Sequence, residues 1–247
     1  MRSTVCSILA LLSTALLTSA QGVAPPRVEN LDTVLHGWEK AMTDLRSFAA
    51  VVDRETLDKA LQTKDQFKGY AMFLKAANKD DNSKARLELA KPSNPAVFEK
   101  YICTGKDLYE YAPTNKLVRV HVMPQNKAGG WQQESFLAFI FGMGAQQAKG
   151  RYDLEIVYPA PGKPDPHYHY LRIKPRTPQD KSDFTEARLS LFRANNLPAQ
   201  IWYHQPNGNE ITWNFSKLQI DVQIPADKYF APDVPAGWRV DRVPPKN

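Results

Sequence analysis

Tyr101-Ile102-Cys103-Thr104-Gly105-Lys106-Asp107-Leu108-Tyr109-Glu110-Tyr111-Ala112-Pro113 reads as two short β-strands folded back on each other. The residues flanking Thr-Gly-Lys are largely aromatic or branched, which suits a pleated surface, and the glycine marks the reversal. The pattern repeats on both sides of this hairpin. Runs at residues 48–60, 67–75, 84–90, 97–103, 107–111 and 117–123 alternate or are rich in branched and aromatic side chains. Turn-forming stretches separate them, among them Asn78 to Ser83 and Lys91-Pro92-Ser93-Asn94-Pro95. Strands joined this closely predict a meander of sequential neighbours. Further strands are expected at 151–158, 167–174, 184–192, 198–204, 209–217 and 218–223, with Asn207-Gly208 as a hairpin turn. An antiparallel sheet of about a dozen strands tends to curl or close, leaving a concave face.

Two segments break the β pattern. Leu31, Val34, Leu35, Trp38, Met42 and Leu45 recur at helical spacing, with Asn30 placed to cap the start. A second helical region is expected between Gln133 and Lys149. Its centre, Phe136-Leu137-Ala138-Phe139-Ile140-Phe141-Gly142-Met143, is apolar on every side. Such a helix is either enclosed in a core or a movable lid over an apolar cavity. Helices are natural covers for a concave sheet. The Pro-punctuated tail from Pro225 to Pro245 has Tyr229, Phe230 and Trp238 as its expected anchors, with a Pro175 to Asp183 loop earlier in the chain.

The 247-residue chain opens with Arg2, a largely apolar run from Val5 to Leu17, and the small residues Thr18-Ser19-Ala20. This is the pattern of an export signal cleaved near Ala20, too short for the ~20 apolar residues of a membrane span. Residues 1–20 are therefore expected to be a signal peptide and 21–247 one domain, since no linker divides them. The formal charge of +6 becomes +5 without Arg2 and forms no basic block. That balance argues against nucleic acid as a partner and permits transient contact with an anionic membrane. Cys103 is the only cysteine beyond the signal, so no internal disulfide is expected and the core must supply stability.

Few residues carry a recognisable chemistry. His167 and His169 have the spacing of ligands on one strand face, yet no Asp, Glu or Cys completes the motif, and the simpler reading is a polar face with Tyr168 and Tyr170 turned inward. Cys103 ends the apolar run Tyr101-Ile102, where a cysteine packs as a small hydrophobe more often than it attacks a substrate. No G-x-S-x-G elbow and no phosphate-binding glycine loop occurs. The expectation is a protein that is not an enzyme, with no catalytic residue, no metal and no cofactor.

Four stretches in order resemble the LolA-like outer-membrane lipoprotein carriers of the periplasm. Leu45-Arg46-Ser47-Phe48-Ala49-Ala50 is similar to the family's opening "L-x-S-F-x-A", and Gly69-Tyr70-Ala71-Met72-Phe73-Leu74-Lys75 to its "G-x-L-x-x-x-R-P" strand. The hairpin of residues 101–113 is similar to "DGK-x-L-W-x-Y-x-P", and Lys228-Tyr229-Phe230 with Val234-Pro235-Ala236-Gly237-Trp238 to the closing "F-x-F-x-x-P-x-G". The resemblance spans about residues 30–243. It implies a mainly β fold with helices (α+β), an incomplete antiparallel β-barrel closed by a helical lid. It also implies a periplasmic carrier holding acyl chains of lipoproteins or other lipids in an apolar cavity. The side chains expected to face that cavity are Trp38, Leu45, Phe136, Phe139, Ile140, Phe141 and Met143. Where the family has an arginine that latches the lid, this chain has Lys75, followed by Ala76 instead of proline, and lysine lacks the planar fork of arginine. The alternative function is an envelope sensory or protein-binding module that uses the same fold without transferring cargo.

Overall fold

The computed structural model describes residues 29–78, 81–123, 144–159 and 163–243. The helix expected after Asn30 is α1, Leu31–Asp44, and the Asn30 side chain accepts from the backbone N–H groups of Asp32 (2.8 Å) and Thr33 (3.4 Å). This satisfies two of the donors that a helix start leaves open. The chain then builds β1 (Ser47–Asp58), β2 (Thr63–Leu74), β3 (Lys84–Lys91), β4 (Asn94–Cys103), β5 (Asp107–Ala112) and β6 (Leu117–Val122), with a 3-10 turn at Pro113–Asn115. A short helix, α2 (Ala145–Arg151), leads into β7 (Tyr152–Val157) and β8 (Tyr168–Pro175). After α3 (Pro178–Asp183) come β9 (Glu186–Phe192), β10 (Pro198–His204) and β11 (Glu210–Ile220), then α4 (Ala226–Tyr229) and β12 (Arg239–Val243).

All twelve strands lie in one sheet, in the order β12-β6-β5-β4-β3-β2-β1-β11-β10-β9-β8-β7. The predicted meander is present on both sides of β1. The chain closes the centre by pairing β11 with β1, so that the two meanders become one surface. Every pairing is antiparallel except β12 with β6. The sheet is curled but unclosed, with β12 at one edge and β7 at the other. Its curl is visible in Arg54 of β1, whose guanidinium donates to both carboxylate oxygens of Glu99 on β4 at 2.6 and 2.7 Å. A flat sheet would set those strands roughly 14 Å apart, three strand spacings. Gly69 on β2 lies between them, and a Cβ there would overlap the Glu88 carbonyl on β3, so only glycine permits this close approach.

The main core lies under α1. Val34, Leu35 and Trp38 are buried against Leu171, Ile173, Leu189, Leu191 and Ile201 of β8 to β10, together with Ala145, Ala148, Tyr152 and Phe184. A second cluster joins Leu45 to Phe48, Ala50 and Leu197. On the opposite face the C-terminal segment covers β3 to β6. Trp238 stacks on Phe98 (6.1 Å) and tilts against Tyr111 (6.2 Å), and Phe230 is buried. A polar clasp accompanies it: Lys100 pairs with Asp233 at 2.6 Å, Tyr111 donates to the Asp233 carbonyl at 2.7 Å, and Arg86 donates to the Tyr229 carbonyl at 2.6 Å. Burial, with the Glu88 and Asp233 carboxylates adding to it, pushes the hydroxyls of Tyr70 and Tyr111 up to about 12. The expected tail anchors are thus in contact with the sheet.

Four expectations need correction. Residues 209–217 and 218–223 do not form two strands, because β11 runs unbroken to Ile220; the backbone absorbs its irregularity at Lys217, where φ is 49°. The Pro175 to Asp183 loop contains α3, started by Pro178 and capped by the Thr177 hydroxyl. The tail contributes β12, which was not anticipated. Tyr168 and Tyr170 are not the inward residues of β8. His169 stands opposite Leu191 and shares the face of buried Leu171, so the histidine takes the core side.

Candidate functional site

The apolar cleft of this protein opens where α1 ends. Its walls are Met42 and Leu45 from the helix exit, Phe48 from β1, Phe215 and Leu218 from β11, and Leu197 with Pro198 at the start of β10. Three features of the sequence bring these side chains together. The helical repeat puts Met42 and Leu45 on the face that holds Trp38. The alternation of β1 turns Phe48 to the same side, where it stacks on Phe73 at 5.7 Å. The pairing of β11 with β1 then supplies Phe215 and Leu218 from far along the chain. The enclosed volume is about 30 Å³, room for one or two waters and far below the several hundred Å³ of a ligand pocket.

The helix above the cleft is held unequally at its two ends. At its start, part-buried Glu29 lies between His169 (2.9 Å from Nδ1) and the Arg193 guanidinium, and Lys149 of α2 pairs with Asp32. Arg193 also donates to the Asp165 carbonyl at 2.5 Å. Burial holds the His169 imidazole below its ordinary pKa. The last turn of α1 has no basic residue of its own. Lys75, the first residue past β2, donates its ammonium to the Thr43 carbonyl there, while its backbone N–H donates to the Arg46 carbonyl at 2.7 Å. A cation from another element thus satisfies one of the carbonyls that a helix end leaves open.

Among the expected cavity residues, Leu45 lines the cleft. Trp38 lies one turn deeper, fully enclosed by the main core. Phe136, Phe139, Ile140, Phe141 and Met143 lie outside the described residues. Lys75, chosen as a latch candidate, touches the helix that it was expected to hold. Phe48, Leu197, Phe215 and Leu218 were missed: Leu197 lies outside the strands, strict alternation would set Phe215 and Leu218 on opposite faces, and only the irregular β1–β11 pairing places them together.

The concave face changes character toward β4 to β6. Besides the Arg54–Glu99 pair, Glu110 accepts from Arg119 (3.1 Å) and lies 3.1 Å from His121. The Arg54 guanidinium sits over Phe67 (4.6 Å) and Trp213 (5.4 Å). Burial, with Glu99 and Glu110 adding to it, raises the Tyr101 hydroxyl above its usual value. Cys103 is buried, and burial pushes its thiol up, the opposite of what a nucleophile needs. Among the described residues no three His, Cys, Asp or Glu side chains converge to hold a metal ion, and no helix is long and apolar enough to cross a membrane.

No protein-family model and no curated protein matches the chain. Solved structures do. An uncharacterized conserved protein from Thermus thermophilus is similar over 86% of this chain and 98% of its own, with a TM-score of 0.50 and 12% identity. A LolA superfamily protein from Nitrosomonas europaea is similar over 81% and 97% (TM-score 0.34, 12% identity). MucB in the Pseudomonas aeruginosa MucA/MucB complex is similar over 81% of this chain and 60% of its own (TM-score 0.44, 14% identity). The likeness at these identities concerns the fold alone.

Proposed function

We propose that this protein is a periplasmic, non-enzymatic carrier that holds acyl chains of lipoproteins or other lipids between the curled sheet and α1. The observation that carries the reading is the cleft of Met42, Leu45, Phe48, Phe215 and Leu218 beneath the weakly held end of the helix. The closed cleft is too small for a chain, so loading requires the Lys75 contact to break and α1 to swing from its C-terminal end. The part-buried Glu29, His169 and Arg193 group at the other end serves as the pivot. Each methylene taken from water contributes ~0.8 kcal/mol, enough over a long chain to offset the opening of one exposed contact.

The test is to purify the full chain from an envelope fraction, extract bound lipid for mass spectrometry, and titrate a fluorescent fatty acid. Co-purified acylated species and saturable binding are expected. Absence of both overturns the reading.

A second reading, a protein-binding envelope module that hands nothing on, is favoured by the charged half of the concave face around Arg54, Glu99, Glu110 and Arg119. Paired charges there suit a polar partner and not an alkyl chain. Movement of bound lipoprotein to an acceptor in a purified system supports the carrier; retention of all cargo supports the module.

A further inference from the structure

A cleft of about 540 Å³ opens on the face of the sheet that the C-terminal segment covers, walled by Arg46, Ser47, Leu74 and the stretch from Asp221 to Pro225. It lies across the sheet from the acyl cleft. Phe48 of β1 stands opposite Phe73 of β2, and Ser47 opposite Leu74, while successive residues of a strand point to opposite faces. Phe48 lines the acyl cleft, and Ser47 and Leu74 line this one.

The space forms where the chain leaves β11. Asp221 takes a left-handed backbone (φ 51°), a conformation that aspartate tolerates better than most residues. Its N–H donates to the Ser47 carbonyl at 2.8 Å, its Oδ1 accepts from the Arg46 N–H at 3.1 Å, and the buried Ser47 hydroxyl donates to the Val222 carbonyl at 2.6 Å. The arch of residues 221–225 is thereby pinned to the start of β1 before α4 begins. Leu74, Val222 and Ile224 stay half-buried along the wall, and Pro225 adds to the apolar surface. The volume falls in the range of ligand pockets. Two charged residues complete the wall. The Arg46 guanidinium is exposed and has no acidic partner among the described residues, and Asp221 supplies the opposite sign.

We propose that this cleft is a second binding site, for a short alkyl carboxylate, its chain against Leu74, Val222, Ile224 and Pro225 and its head on Arg46. A guanidinium fork takes both oxygens of a carboxylate in parallel hydrogen bonds, and half-buried apolar side chains gain from further removal from water. Asp221 limits the charge of the head. A second negative charge meets its carboxylate with the wrong sign, and a cationic head finds only a carboxylate whose Oδ1 already holds the Arg46 N–H. The site stands apart from the carrier reading, which concerns the other face.

The experiment titrates the full, methyl-labelled chain with octanoate, octanol, octylamine and octyl phosphate, and follows it by nuclear magnetic resonance. Methyl shifts of Leu74, Val222 and Ile224 read this cleft, and those of Leu45, Leu197 and Leu218 read the acyl cleft. At the first set octanoate is expected to bind about tenfold tighter than octanol, as one net charged hydrogen-bond pair implies. It should also bind several-fold tighter than octylamine or octyl phosphate, whose head carries nearly two charges. Arg46→Gln should bring octanoate down to the level of octanol, while Asp221→Asn, compatible with the same backbone, should strengthen octyl phosphate. Leu218→Gln, in the other cleft, should change none of these. Absence of saturable shifts at Leu74, Val222 and Ile224, equal affinity there for octanoate and octanol, or a preference that survives Arg46→Gln overturns the site. The acyl-cleft methyls answer for the carrier reading separately, so either can fail alone.

Discussion

The ammonium of Lys75 donates to the Thr43 carbonyl in the last turn of α1, a turn that has no cation of its own. The two residues lie on separate elements, so this hydrogen bond joins the helix exit to the end of β2. Replacing Lys75 by Met keeps the length of the side chain and removes the donor. The expected loss of stability is about 0.5–1 kcal/mol, as for an exposed contact at a helix terminus. Equilibrium denaturation measures it. Stopped-flow uptake of a fluorescent fatty acid should become faster in the same variant, and an unchanged rate would show that the contact does not gate the cleft.

Asp180 ties α3 to the end of α2. It is 2% exposed, accepts from Thr177 Oγ1 at 2.7 Å, and pairs with the Arg151 guanidinium. Burial alone would raise its carboxyl, but the hydrogen bonds from Arg151 and Thr177 outweigh burial and hold it below 3.8. A carboxyl lowered on folding contributes stability that is present above the unfolded value of 3.8 and is lost as pH falls through the folded value. Asp180→Asn should therefore cost stability at neutral pH, about 3–5 kcal/mol if Arg151 is left without its partner, and flatten the acid limb of the pH profile. Denaturant midpoints from about pH 2 to 7 decide it.

Most of the sheet was legible because alternation is a local signal: ten strands lie where the runs of branched and aromatic residues place them. β12 escaped because Arg239, Asp241 and Arg242 give an exposed edge strand no apolar face. α3 had a readable start, Thr177 followed by Pro178 with Asp180 at the third position, but its six residues are too few for a helical repeat. The site was half legible. Leu45 follows from the helix repeat, whereas Phe215 and Leu218 join it only through pairing across more than 160 residues. The charged concave half was hidden for the same reason, since nothing local to Arg54 announces Glu99.

Trp238 should hold the tail as an aromatic anchor and not merely as surface. Its ring meets Phe98 and Tyr111. Aromatic pairs are worth about 0.5–1.5 kcal/mol each beyond their burial, so Trp238→Ala should cost at least 1–3 kcal/mol. Hydrogen exchange should localise the loss to β12 and β6, which the tail brings together in parallel. Uniform loss across all strands would show instead that the tail and the sheet unfold as one unit.

Leu218 offers a way to weaken the cleft without removing a core residue, because it is only partly buried where it lines the space beside Phe215. Leu218→Gln keeps the side-chain volume and places an amide against the apolar wall. An alkyl chain cannot hydrogen-bond that amide, so each methylene that loses its apolar contact forfeits up to ~0.8 kcal/mol. Fatty-acid affinity should fall several-fold, while stability changes by less than about 1 kcal/mol because water still reaches the position. Phe215→Ala serves as the contrast, opening space in the same wall at a greater cost to the fold. If Leu218→Gln leaves affinity unchanged while Phe215→Ala alters it only in proportion to stability, acyl chains are held elsewhere on the concave face.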